Sequence, residues 1–330
     1  MSESNREVEL EVRERRLKVL ETCLGPSIMH YMHDNNVTEV MVNPDGRVWL
    51  DTFDKGFQKT EVIMKVENTK RIIYSIADMS GQVIDLKTDP SLQANIPESR
   101  LFANCRFQAE LPPIVNAPSF NIRKHSKVVI TLEDYVRQGA MTEHQREAIL
   151  AAIHGKKNII AAGGTGSGKT TLLNAILAEI SALDERVVTI EDTKELKCTA
   201  ENYVALSTTD TVDMDNLLRK TLRLSPNRIV VGEVRGKEAL TLIDAWSTGH
   251  RGGCSTVHSD SAHDTLFRLE DLVSRVSISS QQAGIARAID VIVYIERRAV
   301  SRVIAEVLSI DGWDREAHDY ITHRLDQGKE

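Results

Sequence analysis

The sequence predicts an α/β fold: a domain built on a parallel sheet, preceded by a smaller α+β domain. Three observations lead there. From about residue 157 onward, short apolar runs alternate with helical patterns, as parallel strands joined by crossover helices do. Before residue 130, alternating apolar and polar runs are separated by Asn43-Pro44-Asp45-Gly46 and Asp54-Lys55-Gly56, which read as hairpins of an antiparallel sheet. The glycine-rich segment Gly163–Thr170 follows an apolar run and opens a helical pattern, the place where a strand hands over to a helix. A length of 330 residues suits two domains, 1–130 and 131–330.

The elements follow in order. Residues 6–24 carry Leu10, Leu17, Leu20 and Leu24 at helical spacing with charges between them, and Gly25-Pro26 ends that helix. Its apolar stripe has two readings: it packs on its own domain, or it meets a partner or a membrane surface. Mixed charge, with Arg13, Arg15 and Arg16 against Glu9, Glu11 and Glu14, weakens the lipid version. VTEVMVN, RVWLDT and KTEVIMKV, within 37–66, read as strands, and 67–79 as a helix. An irregular stretch is expected from Gly81 to Pro97, then strands near 100–111 and 119–123. Residues 126–142 read as the bridge between domains, and as a hinge if the two move. In the second domain the expected strands are 157–162, 186–191, 203–206, 228–233, 254–257 and 290–295, with a helix at about 169–182.

Composition narrows the function classes. The chain is 41% hydrophobic and 27% charged, which is ordinary for a globular protein. A formal net charge of -7 lacks the basic footprint of a nucleic-acid grip. Cys23, Cys105, Cys198 and Cys254 form no CxxC pair, so neither a zinc cage nor a disulfide framework is indicated, and a reducing cytosol fits. The charged start lacks the apolar core of a secretory signal, and no run reaches the roughly 18 apolar residues of a membrane span. Membrane association is therefore expected to be peripheral.

Gly163-Gly164-Thr165-Gly166-Ser167-Gly168-Lys169-Thr170 matches G-x-x-x-x-G-K-[ST]. Glycines let the backbone turn tightly, so that N–H groups point inward at phosphate oxygens. Lys169 is expected to reach the β and γ phosphates of ATP and the Thr170 hydroxyl to ligate Mg²⁺, with Thr171 completing the binding set. The helix that follows aims its positive end at the same phosphates.

Two strands end in acids: VVTIE at Glu191, followed by Asp192, and IVVGE at Glu233. Ligands of an open parallel sheet bind at the carboxyl ends of its strands. Both acids therefore stand near the phosphates if their strands flank the loop strand. A carboxylate there orients or deprotonates the attacking water. A strand-terminal glutamate is equally a solvated end, and either acid can be the base. Gly232 occupies the position where many phosphate-loop ATPases carry a metal-side Asp, which argues against direct metal ligation by that strand. The turn Thr248–His258 is bracketed by His250 and His258; a γ-phosphate sensor and a satisfied core histidine are both open for His258.

GGTGSGKT, then TIEDTKEL (189–196), LRLSPNRIVVGEVRG (222–236) and STGHRGGCSTVH (247–258) resemble the Walker A, Asp, Walker B and His boxes of the type II/type IV secretion ATPase superfamily. The stretch around the last box is most similar to the conjugal-transfer branch, the TrbB-type ATPases. The resemblance covers about residue 25 to the end. It implies a RecA-like P-loop NTPase domain, an N-terminal domain covering the nucleotide, and a homo-oligomeric ring, a hexamer. It implies that Glu191 and Glu233 act on water and metal, and that His258 couples the γ-phosphate to movement. Arg106 and Arg123 would be the N-terminal-domain arginines that reach phosphates, as a planar guanidinium can. Arg219 and Arg223 are candidates for that task across a subunit boundary. The partners implied are other proteins of a secretion or conjugation apparatus at the cytoplasmic face of the inner membrane.

No four-cysteine insertion and no large leading extension are present, unlike the pilus-extension and type II branches. Retraction-type motors stay open, as does a nucleotide-gated scaffold with little turnover. A small-molecule kinase would leave the leading domain without a role, and a nucleic-acid translocase fits poorly with the acidic balance.

Overall fold

The structure, a computed structural model, describes residues 3–52, 55–96, 102, 105–124, 129–209, 211–277, 279–298 and 301–326; the side chains of residues 3–10 and 13 lie outside that description. The chain divides into two compact units, Met1–Val128 and Val129–Glu330.

The first unit contains α1 (Glu3–His33), β1 (Val37–Val42), β2 (Arg47–Thr52), β3 (Gly56–Ile63), α2 (Val66–Ser80), β4 (Ser91–Ile96), β5 (Cys105–Glu110) and β6 (Ser119–Lys124). Its six strands form one antiparallel sheet in the order β3-β2-β1-β6-β5-β4. Period-two alternation sends Phe107, Phe120 and Ile122 into the core, where Ile72, Ile73 and Ile76 of α2 meet them. Leu17, Leu20 and Leu24 of α1 join the same core, so the described part of the leucine stripe packs on its own unit. Leu10 and Arg13 fall outside the described side chains.

Three expectations need correction. Gly25 does break the first helix, at φ 74 and ψ 169, but the helix resumes at once and runs to His33. Pro26 is the reason: it suits the first turn of a helix, where its missing N–H is no loss. The stretch Gly81–Pro97, expected to be irregular, contains β4, whose Leu92, Ala94 and Ile96 alternate inward. The sequence signal there was weak because alanine and asparagine dilute the alternation. Part of the strand expected near 100–111 lies outside the described residues, and the described strand starts at Cys105.

The second unit opens with α3 (Leu132–Arg137) and α4 (Glu143–His154), each started by a capping box, Thr131 with Asp134 and Thr142 with Gln145. The expected bridge at 126–142 thus holds a capped helix, while residues 125–128 lie outside the described set. There follow β7 (Ile159–Gly163), α5 (Lys169–Ser181), β8 (Val187–Glu191), β9 (Tyr203–Ser207), α6 (Met214–Thr221), β10 (Arg228–Val231), α7 (Glu238–Ser247) and β11 (Cys254–His258). The unit closes with α8 (Asp264–Ser274), α9 (Gln282–Ala288), β12 (Val291–Arg298), β13 (Ser301–Asp314) and β14 (Asp319–Arg324).

Eight strands form the sheet in the order β14-β13-β12-β7-β11-β10-β8-β9. Pairing is parallel from β12 through β9, and antiparallel where β13 and β14 extend the edge. That two-strand extension was not anticipated from sequence. The central strands are apolar on both faces because helices cover both. Ile160 and Ala162 of β7 face the layer of α6 to α9, whereas Ile159 and Ala161 face α3, α4 and α5.

The edge opposite the loop is held by buried polar groups. Asn158 accepts from the backbone N–H groups of Gly252 and Gly253 at 2.8 and 3.0 Å and donates to the Ala288 carbonyl at 2.7 Å. Arg228, only 1% exposed, pairs with Glu185 and donates to the carbonyls of Gly252 and Ile153 at 3.0 and 3.1 Å. Every donor of a buried guanidinium needs such partners. These contacts fix where β11 enters the sheet, and so where its far end, His258, leaves it.

Candidate functional site

Gly163 to Thr170 lie at the carboxyl edge of the parallel sheet, between β7 and the first turn of α5. The approach is close: a Cβ at Gly163 would lie 2.2 Å from the Ile295 carbonyl oxygen and 2.6 Å from Ser167 Oγ. Only glycine fits where the backbone meets β12 in this way. Ser167 Oγ is buried without a hydrogen-bond partner among the described residues, an acceptor or donor left for a ligand. The first-turn amides of α5 point the same way, with no side-chain cap at Gly168. This donor set suits a phosphate chain, and the Thr170 hydroxyl at the start of α5 suits a hard cation bound to it.

Lys169 is 7% exposed and points back into the loop. Its ammonium donates to the carbonyls of Gly163 and Gly164 at 3.0 and 2.9 Å. It also sits beside the His258 ring, 3.1 Å from Nδ1 and 3.3 Å from Nε2. His258 Nε2 in turn lies 2.9 Å from Glu233 Oε1. Lysine carries only donors, so the imidazole has to accept from it. The neutral ring with hydrogen on Nε2 satisfies both neighbours: Nδ1 accepts from Lys169, and Nε2–H donates to Glu233. The result is one continuous chain, Lys169–His258–Glu233, at the mouth of the loop.

The strand order explains which acid enters this chain. β7 is flanked by β11 and β12, not by β8 or β10. The condition under which both acids would stand near the phosphates, that their strands flank the loop strand, is therefore not met. Glu233 still reaches the site, because it lies just past β10 and His258 at the end of β11 spans the gap. Glu191, one strand further out, has no such bridge. Its Oε2 accepts from the backbone N–H groups of Glu195 and Leu196 at 2.7 and 2.9 Å, folding the acid into its own turn. Gly232 makes room for it: a Cβ there would lie 3.2 Å from the Glu191 Cβ. An aspartate at 232 would crowd the buried acid beside it. His250 sits at the opposite edge of the sheet from His258, at the entry to β11, and takes no part in the chain.

Burial pushes the Glu191 carboxyl up to about 7, with the charge of Glu195 adding to the effect and the two amide hydrogen bonds opposing it. The folded state thus holds this proton more tightly than the unfolded chain. Its stabilising effect is complete below the ordinary carboxyl range and is lost as pH rises through about 7. Ligand-free wild type is expected to lose on the order of 3 kcal/mol more stability than Glu191→Gln between pH 4 and pH 8. Denaturant melts of both proteins at the two pH values check this; parallel pH profiles would show that Glu191 is not held protonated.

On the far side of Glu233 from His258 a cavity of about 420 Å³ opens, bordered by Asp192, Thr208, Glu233, Arg235 and Glu238. Arg235 spans its wall, pairing with Asp192 and lying 3.9 Å from Glu233 Oε2. Arg219 is held by Asp215 on its own helix at 3.0 Å, and Arg223 is exposed just after that helix.

Arg106 and Arg123 belong to the first unit, where β5 and β6 place them directly opposite one another. They share the face turned away from the core, with Glu39 opposite Arg123 on β1 and Asn95 opposite Arg106 on β4. Two residues were missed by sequence reasoning: Arg297 on β12 and Arg302 on β13. Arg302 Nε donates to the Gly166 carbonyl at 3.2 Å. No local motif marks them, because the hairpin is brought to the loop only by the pairing of β12 with β7.

A family model described as Type II/IV secretion system protein matches residues 25–311. The chain belongs to that family. Similar curated proteins include the conjugal transfer protein TrbB of Rhizobium radiobacter, 44% identical over 301 residues, covering 91% of each chain. A probable TrbB of Sinorhizobium fredii is 39% identical over 318 residues and covers 96% of each. The resemblance to the TrbB-type branch, read from four boxes in order, thus holds over nearly the whole chain. Among solved structures, the Legionella pneumophila ATPase DotB has a TM-score of 0.65 at 20% identity, over 88% of this chain and 81% of that one. The pilus retraction motor PilT with bound ADP has a TM-score of 0.62 at 17% identity, over 90% and 81%. These two likenesses concern the fold, a RecA-like P-loop domain behind an α+β N-terminal domain, which is the class expected from sequence. Among the described residues no helix is long and apolar enough to cross a membrane, and no cluster of metal-ligating side chains forms.

Proposed function

We propose that this member of the type II/IV secretion family hydrolyses ATP as a ring-forming motor, a hexamer, that energises a conjugal-transfer or type IV secretion apparatus. The observation that carries the reading is the chain Lys169–His258–Glu233 at the phosphate loop. The names of its relatives support the setting: TrbB is a conjugal transfer protein, and DotB is called an ATPase.

The parts have these roles. Amides of residues 163–170, with Thr171, cradle the phosphates, and Lys169 leaves its loop carbonyls for the β and γ oxygens. Mg²⁺, held by the Thr170 hydroxyl, would neutralise charge developing between those oxygens. Glu233 orients and deprotonates the attacking water, and Glu191 supports it from the next strand over. His258 reports the γ-phosphate, because the group that displaces Lys169 from its ring also changes what holds Glu233. Arg106 and Arg123 bring positive charge from the N-terminal domain, which covers the nucleotide and contacts neighbouring subunits, with the domain boundary near residue 130. The protein works at the cytoplasmic face of the inner membrane, docked through other proteins of the apparatus.

Native mass measurement with Mg²⁺ and a slowly hydrolysed ATP analogue, alongside phosphate release from ATP, tests the proposal. A closed ring of about six copies and free phosphate are expected. A monomer that transfers phosphate to a metabolite would identify a kinase instead, and a ring with no turnover a scaffold.

A further inference from the structure

Past the loop strand, β12 continues beyond its last pairing with β7 and turns back as β13, so the hairpin overhangs the phosphate loop. Arg297 and Arg302 are direct cross-strand partners there and share one face. Arg298, on the opposite face, is engaged by Glu296 on its own strand. Arg297 and Arg302 both stand beside the loop. Arg302 Nε donates to the Gly166 carbonyl at 3.2 Å, and a Cβ at Gly168 would lie 3.0 Å from Arg302 Cδ. A Cβ at Gly166 would lie 3.5 Å from Arg297 Nη1.

Like charges directly opposite each other on an antiparallel pair repel. Helix α5 adds the positive end of its dipole at the same place, with no acid in its first turn. Two guanidinium groups and the N-terminal end of α5 therefore stand beside Gly166 and Gly168, donor groups of the kind that bind a phosphate.

The two sides of the loop are not equivalent. Lys169 Nζ lies toward β11, against His258 and Glu233, and in a loop of this type the lysine serves the β and γ phosphates. The arginine pair stands on the β12 side. We propose that Arg297 and Arg302 bind the α-phosphate end of the nucleotide, the part that ATP and ADP have in common. The proposal rests on the nucleotide reading above and deepens it. His258 and Glu233 sense whether a γ-phosphate is present, while the hairpin arginines hold the nucleotide whichever form it takes. They would keep ADP in place after hydrolysis and so set how fast it leaves.

Calorimetric titration of ATP analogue and of ADP into wild type, Arg297→Ala and Arg302→Ala separates these roles. Each variant is expected to lose about 10-fold or more in affinity for both nucleotides, by the same factor, as loss of a charge-assisted hydrogen bond does. His258→Ala is expected to behave differently, reducing the preference for the triphosphate while leaving ADP affinity near wild type. Arg297 is exposed, so its variant is expected to fold even if Arg302→Ala disturbs the loop, and Arg302→Lys provides a conservative control. Wild-type affinity in both alanine variants, or a loss confined to the triphosphate, would overturn the proposal. If wild type takes up neither nucleotide, it is the ATPase reading that fails.

Discussion

Replacement of Lys169 by alanine is expected to abolish nucleotide binding and turnover together. The ammonium is nearly buried, and its partners include two loop carbonyls and the His258 ring. A triphosphate competes for the same charge. Each charge-assisted bond it would make is worth about 1.5–3 kcal/mol, so losing two weakens affinity by roughly 10²- to 10⁴-fold. The cost to the fold itself is about 1–3 kcal/mol, because the buried Gly163 carbonyl loses its donor while Gly164 is half-buried. Titration calorimetry beside thermal unfolding checks both halves. Turnover at the wild-type rate in Lys169→Ala would remove the lysine from the mechanism.

The second large effect is expected at Glu233. Glu233→Gln keeps an oxygen that accepts from His258 Nε2–H, so the ring tautomer and the link to Lys169 survive. What the substitution removes is the negative charge that orients and deprotonates water. Loss of a general base costs about 10²- to 10⁴-fold in rate. ATP affinity and ring formation are expected to stay within a few-fold of wild type while phosphate release collapses. Steady-state turnover of the assembled ring, measured with ATP binding on the same sample, reads both. Unchanged turnover would move the base elsewhere, with Glu191 the next candidate.

That ranking of the two acids was out of reach of the sequence. VVTIE and IVVGE look alike as strand-terminal glutamates, and each reads as near the phosphates. Proximity depends on the order of strands, which no local pattern encodes. β11 enters beside β7 because Asn158 and Arg228 pin its start from the opposite edge. Its far end then delivers His258 between Lys169 and Glu233, and leaves Glu191 to its own turn. His258, Lys169 and Glu233 were each legible as candidates; that the histidine joins the other two was not. Arg297 and Arg302 were invisible for the same reason, since the β12–β13 hairpin meets the loop only through sheet pairing. In the first unit, β4 escaped notice because alanine and asparagine blunt an alternation that packing makes plain.

From the sequence alone came the phosphate loop and the alternation of strands and helices around it. It also showed the antiparallel character of the first domain and membership in a secretion family. These are local properties: glycines that permit a turn, a lysine and threonine at set spacing, and periodicities of two or three and a half residues. Tertiary structure alone decided which acid meets the lysine, which histidine joins them and which arginines overhang the loop. Those are contacts between residues 25, 89 and 136 positions apart, and they exist only once the strands have taken their places in the sheet.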